Sequence, residues 1–314
     1  MAEWLYEEGI GENRAALVEN GEILIAEIEL PAGGPQVGAV MRARLADART
    51  GALLLDDGRD AVLAKPASSL SEGTALNVEI IRDSMPERGR IKPAKAVITD
   101  AEPHPGATLR ARIDASREPV RVMHSHEPDL LEEAGWSEML NEALTGDIAF
   151  PGGVLRMAIT PAMTLFDVDG DPPLGPLAVA AASAVGEAII RHGIAGSIGV
   201  DFPTLSNRDE RQAVAAAVDT ALPQPFERTA VNGFGFMQIV RPRARRSLPE
   251  KLLGDRAGAE ARAMLRAAER LSPPGPHHHI VSVGALRWLA AHPECKAELA
   301  RRTGTAHHFE AAKI

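Results

Sequence analysis

The sequence predicts an α+β protein: a mixed α/β body interrupted by a small β-barrel of the oligonucleotide-binding (OB) type. Between Val37 and Thr99 short apolar runs follow closely on one another, split by Asp56-Asp57-Gly58 and Ser71-Glu72-Gly73, the spacing of a Greek-key barrel. From Asp147 onward the apolar period alternates between about 2 and about 3.6, which gives the order β-β-α-β-α-β. Two of the strand-like runs, Ala162–Phe166 and Ser197–Val200, close on Asp167 and Asp201, with a helical stretch between them.

The first thirty residues read as a β-meander, Glu3–Glu7, Arg14–Glu19 and Glu22–Leu30, with Asn20-Gly21 as its hairpin turn. Pro31-Ala32-Gly33-Gly34-Pro35 reads as a linker. Barrel strands are expected at Val37–Leu45, Gly51–Leu55, Ala61–Ala64 and Leu76–Ile81, and residues 86–93 form a last, basic turn. No Phe, Tyr or Trp occurs from Gln36 to Thr99. Nucleic acid bound there would be held by charge, without the base stacking that contributes about 1–3 kcal/mol per aromatic.

Pro103–Glu118 begins polar and irregular, and Glu127–Leu144 has helical spacing. Asp147–Val168 supplies two strands joined at Pro151-Gly152-Gly153. In Leu174–His192 the positions Leu177, Ala181, Ala184, Val185, Ala188 and Ile189 form one apolar stripe, stopped by Gly193. Ser206/Asn207 cap a helix at Arg208–Leu222, and Thr229–Arg241 is a strand broken at Gly233 and Gly235. A helix at Ala257–Leu271, a linker at Ser272–Pro276, a strand at His278–Val283 and a helix at Gly284–Thr303 follow. A last strand, Ala306–Glu310, is expected to pair back onto the body. The expected organisation is a β-meander at 1–35, the barrel at 36–100, a connecting segment at 101–146, a metal-binding α/β subdomain at 147–254, and a C-terminal helix with an αβ tail at 255–314.

At 314 residues and 45% apolar content the chain has room for one to three domains. A single cysteine, Cys295, excludes an internal disulfide and a cysteine-based zinc site, and sets a reducing, cytoplasmic expectation. Met1-Ala2-Glu3-Trp4 does not open a signal peptide, and no run of about 18 apolar residues is visible, so no membrane partner is expected. A formal charge of −9 argues against a protein that grips nucleic acid over its whole surface. The strip Arg241-Pro242-Arg243-Ala244-Arg245-Arg246 still offers a local edge to a polyanion.

A strand–helix–strand crossover delivers both strand ends to one edge of a sheet. Carboxylates at such ends suit a hard cation beside a phosphate. Taken singly, an aspartate ending a strand is a turn or cap residue; the pair in one unit is what points to a metal. Asp167-x-Asp169-Gly170-Asp171 opens like a calcium loop but lacks the bidentate glutamate at position twelve. His124-Ser125-His126 and His277-His278-His279 read as surface histidines, and no sequence partner makes Cys295 a catalytic thiol.

In this order the pieces resemble the ribonuclease E/G family of bacterial endoribonucleases, in a short form. Gly11 to Gly21 is similar to the family's opening hairpin, and Val37 to Thr99 to its S1 barrel insert. Pro151-Gly152-Gly153-Val154 with Thr164-Leu165-Phe166-Asp167-Val168-Asp169 is similar to its glycine turn and first metal strand. Ala195-Gly196-Ser197-Ile198-Gly199-Val200-Asp201-Phe202 is similar to its second, and Asn207-Arg208-Asp209-Glu210-Arg211 to the helix start after it. Gly233-Phe234-Gly235-Phe236-Met237-Gln238-Ile239-Val240-Arg241-Pro242-Arg243 is similar to the next strand, which ends in basic residues. The resemblance is specific from Asp147 to Leu248 and loose over the barrel.

It implies a ribonuclease-H-like body with an S1-like insert, single-stranded RNA as substrate, and Asp167 and Asp201 as ligands of magnesium or manganese. Asp169 stands where the family has a short polar residue beside the metal, in the role of a third ligand or water-orienting base. Arg241, Arg243, Arg245 and Arg246 would hold phosphates or stabilise the transition state, with Lys92 and Lys95 as further RNA contacts. Hydrolysis by metal-activated water leaves 5′-phosphate and 3′-hydroxyl ends.

Three departures matter. The family's Cys-Pro-x-Cys link is absent, so no zinc is expected and a homodimer would lack the zinc clamp. The Arg-Thr pair that reads a 5′-monophosphate has no counterpart here. Gly233 stands where the family places an arginine facing the RNA. The first expectation is thus a magnesium-dependent endoribonuclease. The alternative is a non-catalytic RNA-binding or ribosome-associated protein that keeps the fold. Overall acidity, the aromatic-free barrel and Gly233 favour that alternative; the intact aspartate pair opposes it.

Overall fold

The computed structural model describes residues 1–31, 34–87, 90–271 and 277–312. The expected linker at 272–276, part of the one at 31–35 and the centre of the basic turn at 88–89 lie outside the described residues. The chain divides into two compact units.

One unit comprises Met1–Pro31, Ile113–Leu144 and Leu248–Ile314. Its meander forms as expected from strands Glu3–Glu8, Asn13–Glu19 and Glu22–Glu29, and Asn20 (φ 54°) and Gly21 (φ 83°) supply the left-handed turn that closes the second hairpin. A fourth strand, Val120–Met123, joins parallel to Glu3–Glu8. The sequence signals no strand there, because its two middle residues are exposed and break the alternation. The helix expected over 127–144 is parted into Leu130–Glu133 and Trp136–Thr145 by Gly135, whose φ is 91°. Trp136, Leu131, Leu5, Ala16 and Leu248 fill the space between sheet and helices.

The helix expected over 284–303 is likewise two, Val283–Ala291 and Pro293–Thr303. Proline is tolerated in a first turn but not in a helix interior, which fixes the break at His292. The last strand, His307–Ala311, does not pair back onto the body sheet as expected. It pairs in parallel with His277–Val281 as a separate two-stranded ribbon.

The other unit comprises Ala32–Arg112 and Thr145–Ser247. Its first part is a closed five-stranded barrel of OB-like form, in the order Ala94–Ile98, Asp60–Leu63, Ala52–Leu55, Val40–Asp47, Ala75–Arg82. Leu45, Leu53, Val78, Ile80 and the small Ala94 and Ala96 fill it. The closing strand Ala94–Ile98 is absent from the sequence-based assignment, which ends with the basic turn at 86–93. In the structure, Met85–Glu87 and Arg90–Lys92 form a short hairpin, and Ala94–Ile98 then closes the barrel between Asp60–Leu63 and Ala75–Arg82.

The second part is a six-stranded mixed sheet in the order Asp147–Phe150, Gly153–Ile159, Thr164–Gly170, Gly196–Asp201, Phe236–Arg241, Glu227–Arg228. Helices Leu174–Arg191 and Arg208–Ala221 share one core with Leu155, Met157, Phe166, Val200, Met237 and Ile239 of the sheet. Gly186 permits the close approach of the two helices, since a Cβ there would stand 2.6 Å from that of Ala221. Leu174–Arg191 is long and apolar enough to cross a bilayer, at mean hydropathy 1.4, contrary to the sequence-based count. Its buried stripe, Ala178 to Ile189, is part of this core, so the helix serves as a core helix.

Candidate functional site

In the sheet just described, every second residue faces the helices and is buried, and the residues between them form an opposite, open face. Strand register arranges that face in rows. One row reads Asp147, Arg156, Asp167, Asp201, Phe236, each residue the direct cross-strand partner of the next. Asp167 and Asp201 are the last rung of the parallel pairing between their strands, so their Cα atoms are one strand spacing apart, about 4.8 Å. Both side chains are exposed. Among the described residues neither takes part in a hydrogen bond or ion pair.

One sequence expectation changes in detail. Asp167 does not end its strand: the strand runs on to Gly170, paired there only with Gly153–Ile159. What ends at Asp167 is the parallel pairing. Asp201 does end its strand, and buried Phe202 and Leu205 lead the chain to the next helix. Asn207 caps that helix, its Oδ1 accepting from the Glu210 amide at 2.8 Å. Gly199, one row back, has no room for a side chain: a Cβ would lie 2.8 Å from both Leu165 and Phe236, whose side chains meet over it.

Asp169 lies one row beyond Asp167 on the same face, and its carboxylate accepts from Arg156 Nη2 at 3.0 Å. The hydrogen bond to Asp169, then the charges of Asp169, Asp147 and Asp167, hold the Arg156 guanidinium above its ordinary value. Among the described residues no three His, Cys, Asp or Glu side chains are grouped to hold a metal ion. Two donors stand together, and Asp169 is turned to an arginine. Sequence reasoning missed Arg156; the signal was the alternation of its strand, which puts it on the polar face, combined with hairpin register from the Pro151-Gly152 turn.

The basic candidates are brought together with one another and not with the aspartates. Phe236–Arg241 runs antiparallel to Gly196–Asp201, so Phe236 sits beside Asp201 and Arg241 beside Gly196. Five residues separate the two levels, about 17 Å. The transition-state role expected for Arg241 and Arg243 therefore does not fit: the chain direction carries them to the far end of the sheet, and Arg245 and Arg246 follow after the strand has ended. Arg241 is committed there, donating to Ile194 O at 3.1 Å, and burial lowers its pKa. The Arg243 stem packs on Gly196, and Ala244 O accepts from the Asp83 amide of the barrel at 2.8 Å. Asp83 directly precedes the hairpin that carries exposed Lys92, and half-buried Lys95 faces Arg82 in the closing strand.

Fold and site together define a mixed α+β protein with a closed OB-like barrel and two exposed aspartates paired across a parallel rung of the adjoining sheet. No family model matches the chain. An alignment over 130 residues, which covers 38% of the chain, is 26% identical to ribonuclease G of Escherichia coli K12 and, to the same extent, to ribonuclease G of Shigella flexneri. The match covers 27% of those proteins, so the chain spans about a quarter of the length of the curated relatives it matches. The likeness is distant.

Proposed function

We propose that this protein is a metal-dependent endoribonuclease that hydrolyses single-stranded RNA, with Asp167 and Asp201 holding one magnesium or manganese ion. The observation that carries the reading is the shared rung: two hard oxygen donors, exposed, on one face, about 4.8 Å apart at the backbone. That donor set fits a cation that keeps several waters and takes only one or two protein carboxylates. Bound there, it would supply positive charge to the phosphate and a nucleophile from water. The distant likeness to ribonuclease G supports RNA as the substrate.

The chain's own residues do the remaining work in this reading. Asp167 and Asp201 fix where the scissile phosphate rests. Arg156, next in the row, leaves Asp169 and donates to the non-bridging oxygens, replacing the distant strip in that role. Asp169, so released, accepts the proton of the attacking water as the P–O3′ bond breaks, the departing 3′ oxygen takes a proton from solvent, and the products carry 5′-phosphate and 3′-hydroxyl ends. The patch of Arg241, Arg243, Arg245, Arg246, Lys92 and Lys95 tracks the RNA backbone away from the cut. We read the four-stranded sheet of the other unit as the ribonuclease-H-like portion, the barrel as S1-like, and the setting as cytoplasmic, with any homodimer free of zinc.

A non-catalytic RNA-binding role is the second reading, favoured by the net charge of −9 and by a barrel without aromatics. Incubation of the purified protein with an end-labelled oligoribonucleotide separates the two. Cleavage in magnesium that stops in EDTA supports the first; cleavage unaffected by EDTA removes the metal. Binding without cleavage selects the second.

A further inference from the structure

Large aromatic side chains are scarce here, and Trp4, Tyr6, Trp136, Phe166, Phe202 and Phe226 are buried in cores. Phe234 is 85% exposed; among the described residues only Met1 is a more exposed large hydrophobic. A lone exposed apolar residue on a surface requires no explanation. This one sits on a tied loop two residues before Phe236, the cross-strand partner of Asp201.

The loop is tightly tied. Asn232 Oδ1 accepts from the amides of Phe234 (2.8 Å) and Phe236 (3.1 Å), the Asn232 amide donates to Phe236 O (3.0 Å), and the Gly235 amide donates to Asn232 O (3.2 Å). Gly235 has φ 94°, and a Cβ on it would lie 2.1 Å from Phe202 O. In turn the Phe202 amide donates to Gly235 O at 3.2 Å, fastening the loop to the residue after Asp201. Phe234 is two residues from Phe236, the cross-strand partner of Asp201, so its Cα lies within about 7 Å of the rung's own row. Ordering this loop therefore adds little entropic cost to binding.

We infer that Phe234 is the stacking residue of this site, taking the face of an unpaired nucleobase next to the phosphate positioned at Asp167 and Asp201. The inference rests on the ribonuclease reading and deepens it, by naming an unstacked base as what the site recognises. Every base offers a π-face, so such a contact favours single strands over duplexes without selecting a sequence. It also supplies, from the sheet, the stacking that the barrel has no aromatic to provide.

The test measures binding of a fluorescent ten-nucleotide oligoribonucleotide to the full chain in EDTA, where cleavage does not interfere, and cleavage separately in magnesium. Phe234→Ala is expected to weaken binding about tenfold and to raise KM more than it lowers kcat. Phe234→Tyr should keep parent affinity, and Phe234→Leu, which keeps bulk but loses the ring, should behave as alanine. An abasic ribonucleotide substrate should erase the difference between parent and Phe234→Ala. Melting temperatures within experimental error of the parent establish that the variants fold. Alanine binding as tightly as the parent overturns stacking alone and leaves the nuclease reading standing. A parent that neither binds RNA in EDTA nor cleaves it in magnesium overturns both.

Discussion

In one unit the buried carboxylates are answered by arginines. Glu12, 2% exposed at its side chain, is gripped by Arg262 and Arg266, and Arg262 reaches on to Asp255 and lies over the Trp288 ring. Glu7 and Asp129 share Arg14 and Arg270 in the same way. Burial alone works against the Arg14 charge, but Glu7 and Asp129 outweigh it and hold the guanidinium above its ordinary value. Asp129 feels the same contest: burial raises it, and Arg14 with the Glu132 amide brings it below the carboxylate range. In the other unit Asp167 and Asp201 stand exposed on a shared rung and, among the described residues, without an ion pair. The difference teaches how to tell a structural acid from an available one. Both kinds are clustered; only the second leaves its charge to be satisfied from outside.

The largest expected effect breaks the available pair. Asp167→Asn or Asp201→Asn should lower cleavage of single-stranded RNA by about 10²–10³-fold, as loss of a charge-stabilising group does. Stability, followed by urea unfolding, should stay within about 0.5 kcal/mol, because exposed groups without partners add little. The satisfied network should respond in reverse. Glu12→Gln leaves Arg262 and Arg266 buried with a neutral partner, and should cost about 3–5 kcal/mol in urea unfolding while cleavage per folded molecule is unchanged.

Smaller still is Arg156→Ala, expected to slow single-turnover cleavage about tenfold. Arg156→Lys should recover only part of that, since a point charge lacks the planar fork; full recovery would reduce Arg156 to a source of field. The smallest effect lies in the C-terminal ribbon, where His279 Nε2 and His307 Nδ1 are 2.9 Å apart. Burial, then the neighbouring histidines, lower the pKa of both from 6.5. A base with a lowered folded pKa contributes stability that is present above pH 6.5 and lost as the pH falls through the folded values. The protection factors of the amides in 277–281, which remove the intrinsic pH dependence of exchange, should therefore fall as the pH drops from 7.5 to 5.5, about the ordinary histidine pKa, and His307→Phe should flatten the change.

The sequence announced the parts whose signals are local. Asn20-Gly21, the apolar stripe of Leu174–Arg191, the Asn207 cap and the short barrel runs each carry their own periodicity or turn chemistry, and each is found. Parts that depend on pairing partners were hidden. Val120–Met123 and Ala94–Ile98 are strands only because Glu3–Glu8 and Asp60–Leu63 offer them edges. The basic strip after Val240 and the family resemblance put arginines at the phosphate; antiparallel direction, which no single strand encodes, places Arg241 at the other end of the sheet from the aspartates. Arg156 was missed for the same reason, as only the register of its hairpin brings it next to Asp167.

Asp167 sits inside a strand that its hairpin neighbour grips for three more residues, whereas Asp201 is the last residue of its strand and is followed by a backbone tie from the Phe202 amide to Gly235 O. The two donors thus differ in compliance. In the metal site proposed above, a cation of larger ionic radius would be accommodated by displacement on the Asp201 side, with Asp167 as the fixed reference, and tolerance among divalent ions would be governed by how far the Phe202–Gly235 tie yields.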